Sequence, residues 1–212
     1  MGMTLSNYRL PSHNCHRDRK ILLLGLDSSG KTSILYRLHL DSFGGFIPTI
    51  GFNVENIRPP FCKEHLVLWD ISGQSIQLWR HYFLHNEALV FVVDSTDYAR
   101  IREAKEALWR VLQHQDMAET RFLLVYANKQ DRPNAMTVRE VMEALDIENL
   151  VKTATPTTGA AGAAGRRRRW HVQGSSALLG DGLWKGIEWL CAQIKDRSMN
   201  TSVATPSTSN KG

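Results

Sequence analysis

The chain is 212 residues long, with a formal net charge of +5 and three cysteines, a size at which one domain buries most of its apolar surface. Cys15, Cys62 and Cys191 are odd in number and widely spaced, which argues against a disulfide framework or clustered metal site. No apolar run approaches the ~20 residues of a membrane span, the polar amino terminus broken by Pro11 does not read as a secretory signal, and Arg166-Arg167-Arg168-Arg169 supplies four of the five net charges, leaving little support for nucleic-acid binding.

In chain order, a strand expected at 20–26 carries Ile21-Leu22-Leu23-Leu24. It runs into Gly25-Leu26-Asp27-Ser28-Ser29-Gly30-Lys31-Thr32, and a helix is expected at 30–40. A GxxxxGKS/T match between strand and helix is a phosphate loop: its glycines let backbone N–H groups turn towards phosphate oxygens, and the helix N-terminus adds positive potential. Lys31 reaches the β- and γ-phosphates, and the Thr32 hydroxyl suits Mg2+. Strands follow at 51–58 and 65–70, a helix at 75–84, a strand at 88–94 and a helix at 98–114. A strand at 121–128, a helix at 137–146, a strand near 170–174 and a helix at 182–196 complete the series.

Val90-Phe91-Val92-Val93 and Phe122-Leu123-Leu124-Val125 are continuous apolar runs, as in strands covered on both faces. Strands alternating with helices imply βαβ units, hence an α/β fold with a mainly parallel sheet of six strands and helices on both faces. Ligands then belong at the carboxyl ends of the strands. By itself the phosphate loop also fits an ATPase or nucleotide kinase. Asn128-Lys129-Gln130-Asp131 decides for guanine, because the Asp131 carboxylate can accept from both N1–H and the exocyclic amine, a donor pair that adenine lacks.

Phe46-Ile47-Pro48-Thr49-Ile50-Gly51-Phe52-Asn53-Val54-Glu55 and Trp69-Asp70-Ile71-Ser72-Gly73-Gln74 extend the set, with Val93-Asp94-Ser95-Thr96-Asp97 and Ser176-Ala177. From about Lys20 to Lys195 the sequence resembles the ADP-ribosylation-factor (Arf and Arf-like) family of small GTPases, a branch of the P-loop NTPases. The resemblance implies GTP and GDP as ligands with Mg2+, and a second metal hydroxyl from Thr49. It further implies a metal-bound water on Asp70 and γ-phosphate sensing by the Gly73 amide. Gln74 would orient the attacking water, and the Ser176-Ala177 backbone would brace the guanine. It also implies an exchange factor, a GTPase-activating protein that supplies an arginine, and effectors that read Phe52, Trp69 and Tyr82, although these aromatics are equally expected as plain core. Hydrolysis without a partner is expected to be slow. The implied role is a monomeric switch that recruits effectors to intracellular membranes such as the Golgi in vesicle transport, cytoplasmic and reversibly membrane-bound. The alternative is a GTP-dependent adaptor with negligible hydrolysis.

Met1-Gly2-Met3-Thr4-Leu5-Ser6 fits the pattern for myristoylation of Gly2. One acyl chain binds membranes only marginally, with K near ~10⁴ M⁻¹, so residues 1–19 need a second signal. The low-complexity stretch 153–169 ends in the arginine run and is expected to emerge at the edge of the sheet opposite the nucleotide. There arginines contribute roughly 1 kcal/mol each on an anionic surface, or the stretch is a neutral expansion in a tolerant loop. Residues 20–197 form the GTPase domain, and the Ser/Thr-rich tail 198–212 is expected to be disordered. Three departures from the family pattern stand out. Ser72 stands where most members have glycine, the segment between Phe52 and Trp69 is about two residues longer than usual, and that between Gln74 and Trp79 about two residues shorter. The last falls in the second switch and bears directly on the aim of Gln74.

Overall fold

In the computed structural model, which describes residues 18–41, 49–153 and 168–202 with side chains to Asp196, every expected strand is present. They are β1 (Asp18–Leu24), β2 (Phe52–Ile57), β3 (His65–Ile71), β4 (Ala88–Asp94), β5 (Phe122–Asn128) and β6 (Arg169–Gly174). They form one sheet in the order β2-β3-β1-β4-β5-β6, with β2 antiparallel to β3 and all other pairs parallel. Gly2, Cys15, Phe46-Ile47-Pro48, Arg166 and Arg167, and the tail from 203 onwards lie outside the described residues.

Every residue of β5 is buried. Because successive strand residues face opposite ways, the central strands feed two cores. Leu22, Leu89, Phe91 and Leu123 face α2 (Ile101–Gln113), α3 (Val138–Leu145) and α4 (Ile147–Thr153). Ile21, Leu23, Val90 and Leu124 face α1 (Lys31–Leu40) and α5 (Leu183–Ser202), whose Leu183, Ile187, Leu190 and Ile194 are all buried at the helical spacing seen in the sequence. Tyr126 lies on this second face, fully buried, and donates its hydroxyl to the Leu183 carbonyl at 2.6 Å. Gly186 leaves the room: a Cβ there would stand 2.6 Å from that oxygen.

Four elements differ from expectation. The helix at 75–84 is a 3₁₀ helix, Ile76–Tyr82, tied at both ends. At its start the buried Trp79 indole donates to the Ser72 carbonyl at 2.9 Å. At its end Lys20 Nζ donates to the carbonyls of Tyr82 and Leu84 at 3.1 Å each. Helix α4 was not expected; Asp146, at φ 53°, ends α3 and turns the chain so that Ile147, Leu150 and Val151 reach the core. Helix α5 runs to Ser202, taking in the first residues of the expected tail.

The arginine run is the fourth correction, because Arg168 is taken inside the fold and Arg169 is ion-paired on its surface. Arg168 is 5% exposed. It donates from Nε to the Thr120 carbonyl (2.8 Å) and from Nη2 to that of Met117 (2.9 Å), closing the end of a short 3₁₀ turn at Gln115–Met117. Burial pushes its pKa down to about 10. Arg169 pairs with Asp196 and Gln193 of α5 at 2.8 Å each. The edge on which this segment emerges is as expected: Arg169 stands opposite Phe122, Asp18 opposite His65 and Ile57 opposite Leu66. The starts of β1 and β6 and the β2–β3 turn therefore share one pole, away from the phosphate loop.

Candidate functional site

Gly30, at φ 96°, caps the N-terminus of α1 in the left-handed region and leaves no room for a side chain, because Asn128 Nδ2 occupies the space a Cβ would take. That geometry aims the free N–H groups of the first helical turn into a cleft of about 310 Å³, lined among others by Asp27, Lys31, Thr32, Thr49, Ser72 and Gln74. Lys31 is 6% exposed and donates to the Leu26 carbonyl at 2.9 Å. Burial lowers its pKa, against the pull of Asp70 and Asp27. Asp27 is itself clamped by Arg100, whose Nη1 lies 2.8 Å from it while Nε holds Asp97 at 2.7 Å.

Three oxygens converge beside Lys31. Thr32 Oγ1 donates to Asp70 Oδ2 at 2.6 Å and stands 2.7 Å from Thr49 Oγ1, which is 3.4 Å from the same carboxylate oxygen. The other oxygen, Asp70 Oδ1, is buried with no partner among the described residues. Burial raises the Asp70 pKa, opposed by the Thr32 hydrogen bond and the Lys31 charge. Two hydroxyls and a carboxylate with an unsatisfied oxygen form a hard, all-oxygen donor set, which fits a small divalent cation completed by phosphates and water.

The strap after β3 closes the cleft. Ser72 donates its backbone N–H to the Gly51 carbonyl at 3.0 Å, and its hydroxyl accepts from the Gln74 N–H at 3.4 Å. Gly73 lies so close to the phosphate loop that a Cβ would collide with the Asp27 nitrogen and the backbone of Gly25 and Leu26. Gln74 itself is exposed at the mouth.

At the far end, the side chains of the Asn-Lys-x-Asp run are already engaged. Asn128 donates to the Ser29 carbonyl at 2.8 Å and accepts from the Ala177 N–H at 3.0 Å, tying the phosphate loop to the Ser176-Ala177 loop. Lys129, at φ 66°, is held by Asp94 at 2.6 Å. Ser176 donates to Asp131 Oδ1 at 2.6 Å and orients that carboxylate. Burial works to raise the Asp94 pKa, but hydrogen bonds from Lys129 and Thr96 outweigh it and hold the carboxyl below its ordinary range.

The structure thus gathers Asp27, Ser28, Gly30, Lys31, Thr32, Thr49, Gly73, Gln74 and Lys129 on one cleft, with Asp70 beneath. The side chains of Leu26 and Ser29 are buried, and both residues offer their carbonyls inward. Asp94 and Arg100 carry supporting roles the sequence reading did not assign. The signal was the Asp94-Ser95-Thr96-Asp97 run after an apolar strand, where short polar side chains fold back on their own backbone. Outside the cleft, Phe52, Trp69 and Tyr82 form a trio with ring centroids 5.6–6.2 Å apart. Lys20 Nζ stands 4.9 Å over Trp69. Phe52 is 51% exposed, while Trp69 and Tyr82 are partly buried against the core.

The model of the ADP-ribosylation factor family matches residues 6–194. Among solved structures, the chain is similar to the Arl6 BBS3 small GTPase from Trypanosoma brucei, determined with a bound nucleotide analogue, GppNp. The identity is 26%, the TM-score 0.69, and the match covers 85% of this chain and 99% of that one.

Proposed function

The chain belongs to the ADP-ribosylation factor family of small GTPases, and from that premise we propose a Mg2+-dependent switch that hydrolyses GTP slowly and recruits effectors to intracellular membranes. The observation that carries this reading is the convergence of Thr32, Thr49 and Asp70 beside Lys31, in a cleft that Lys129 also lines and to whose phosphate loop Asn128 is tied. Thr32 and Thr49 would hold the ion directly and Asp70 through water; when bound, Mg2+ neutralises charge on the β- and γ-phosphate oxygens. Lys31 exchanges its bond to Leu26 for phosphate oxygens. Gln74 orients water, and the Gly73 amide and Thr49 respond to the γ-phosphate, so that its loss frees both segments.

No arginine side chain lines the cleft among the described residues, which supports a charge supplied by an activating protein. Phe52, Trp69 and Tyr82 offer an aromatic face for effectors. For membrane attachment, a lipid on Gly2 remains the proposal, with Arg166 and Arg167 as the second signal, since Arg168 and Arg169 are engaged. The exposure of Gln74 and the long hydrogen bond from its backbone N–H to Ser72 favour a second reading, a GTP-dependent adaptor with negligible turnover.

Binding of fluorescent GTP, GDP and ATP with and without a chelator, followed by single-turnover hydrolysis, tests both. Guanine-selective binding that weakens on chelation is expected, with slow hydrolysis stimulated by an activating protein. Equal ATP affinity would sink the switch reading, and normal binding without stimulated hydrolysis would put the adaptor ahead.

A further inference from the structure

Cys62 and Cys191 stand 129 positions apart in the sequence, yet the fold brings them together at the pole opposite the nucleotide cleft. Cys62 is in the turn between β2 and β3, half-buried, and packs on the core cluster that contains the buried Cys191 of α5. The turn is fastened to α5 around them: Lys195 Nζ lies 3.3 Å from the Phe61 carbonyl, and Phe61 meets Trp184 edge-on with ring centroids 5.9 Å apart. The turn that carries Cys62 is therefore fastened to α5 on either side of Cys191, and such closeness is what disulfide formation requires.

Their environments differ in a way that orders the chemistry. Cys62 is within reach of solvent, and its sulfur accepts the Glu64 backbone N–H at 3.4 Å. Cys191 is enclosed, and burial, the Cys62 contact and Glu64 push its pKa up, against Lys195. It waits as the resolving thiol.

We propose that Cys62 and Cys191 are an oxidant-sensitive dithiol whose disulfide locks the β2–β3 hairpin to α5 and slows nucleotide release. The oxidant is hydrogen peroxide. The Cys62 sulfur attacks one peroxide oxygen, the O–O bond breaks, and a sulfenic acid and one water form. The Cys191 sulfur then attacks the Cys62 sulfur and the S–O bond breaks. The departing hydroxide takes the Cys191 proton as a second water, so two thiols and one peroxide give one disulfide and two waters. The hairpin transmits the constraint. Its other end carries Thr49 before β2 and Asp70 to Gly73 at the end of β3, and the β2–β3 register sets Phe52 opposite Ile71 and Asn53 opposite Asp70. Formation of the bond does not depend on the nucleotide reading; its effect on release does.

The full-length protein is treated with hydrogen peroxide and examined by intact mass, non-reducing peptide mapping and release of fluorescent GDP. The expected result is a monomer lighter by two hydrogens, a Cys62–Cys191 cross-linked peptide, and GDP release slowed several-fold and restored by a thiol reductant. A Cys15→Ser variant should behave alike. Cys62→Ser and Cys191→Ala should bind GDP normally yet form no such cross-link, and their release should not respond to peroxide. Sulfinic acid on Cys62 with Cys191 still free, a bond to Cys15, or intermolecular dimers would overturn the site. A Cys62–Cys191 bond with unchanged release would overturn its coupling to the nucleotide, and absence of GDP binding in the reduced protein would instead fault the nucleotide reading.

Discussion

The two ends of the nucleotide cleft are prepared to different degrees. At the guanine end, Asn128, Lys129 and Asp131 each have a hydrogen-bonded partner, and none of their polar atoms is among those buried without one. At the phosphate end, Ser29 Oγ and Asp70 Oδ1 are buried without a partner among the described residues. There the buried Lys31 and Asp70 are each shifted towards their neutral forms. Burying charge without full compensation costs free energy that a ligand can return. The base half is built as a rigid template, and the phosphate half is completed by what binds. A switch needs that asymmetry: affinity for the base is common to both nucleotide states, while the end that senses the γ-phosphate must change.

The comparison is broken most severely by Asp131→Ala, which removes a charged acceptor for two guanine donors. GTP and GDP affinity should both fall by about 3–4 kcal/mol, roughly 10²–10³-fold, with no gain for ATP, by calorimetric titration. An equal preference for guanine in this variant would show that the template lies elsewhere.

Gln74→Leu acts only at the phosphate end. Single-turnover hydrolysis stimulated by an activating protein should drop roughly 10²-fold, with GTP and GDP affinities unchanged. A variant as fast as the parent would place water orientation on another group.

Asn128→Ala cuts the tie between the two ends. Losing the bonds to the Ser29 carbonyl and the Ala177 amide should destabilise the protein by about 2–4 kcal/mol in urea unfolding, even without nucleotide. If stability fell only in the presence of nucleotide, Asn128 would be a ligand contact rather than a brace.

The smallest effect separates the ends by pH. Asp70 has a raised folded pKa, so the folded state holds more protons there, and that residue's contribution to stability falls as pH rises from the ordinary carboxylate range through the raised value. Asp94 has a lowered folded pKa, so its contribution is present above the ordinary carboxylate pKa and is lost as pH falls through the lowered value. In nucleotide-free protein, Asp70→Asn should remove the first slope and Asp94→Asn the second, measured as unfolding midpoints against pH. Slopes of the same sign at both sites would erase the contrast between the ends.

The sequence was most legible where local chemistry suffices. The continuous apolar runs gave β4 and β5, and the helical spacing of Leu183, Ile187, Leu190 and Ile194 gave the buried face of α5. It was less legible where one short segment answers to distant ones. Over 75–84, periods of 3.0 and 3.6 residues cannot be told apart in so few turns, and the Trp79 and Lys20 anchors set the tighter winding. Arg168 looked like one more exposed charge in a run, but carbonyls of Met117 and Thr120, some fifty residues earlier, take it inside.

By itself, then, the sequence determined the alternation of strands and helices, the phosphate loop and the guanine-reading run, because each depends on backbone freedom, side-chain period or donor pattern within a few residues. Only the tertiary structure decided that Thr49 and Asp70 meet Thr32, that Arg100 clamps Asp27, and that Cys62 packs on the cluster that holds Cys191. Those contacts join residues from 17 to 129 positions apart, and such meetings are fixed by how strands register and helices pack across the sheet rather than by any pattern along the chain.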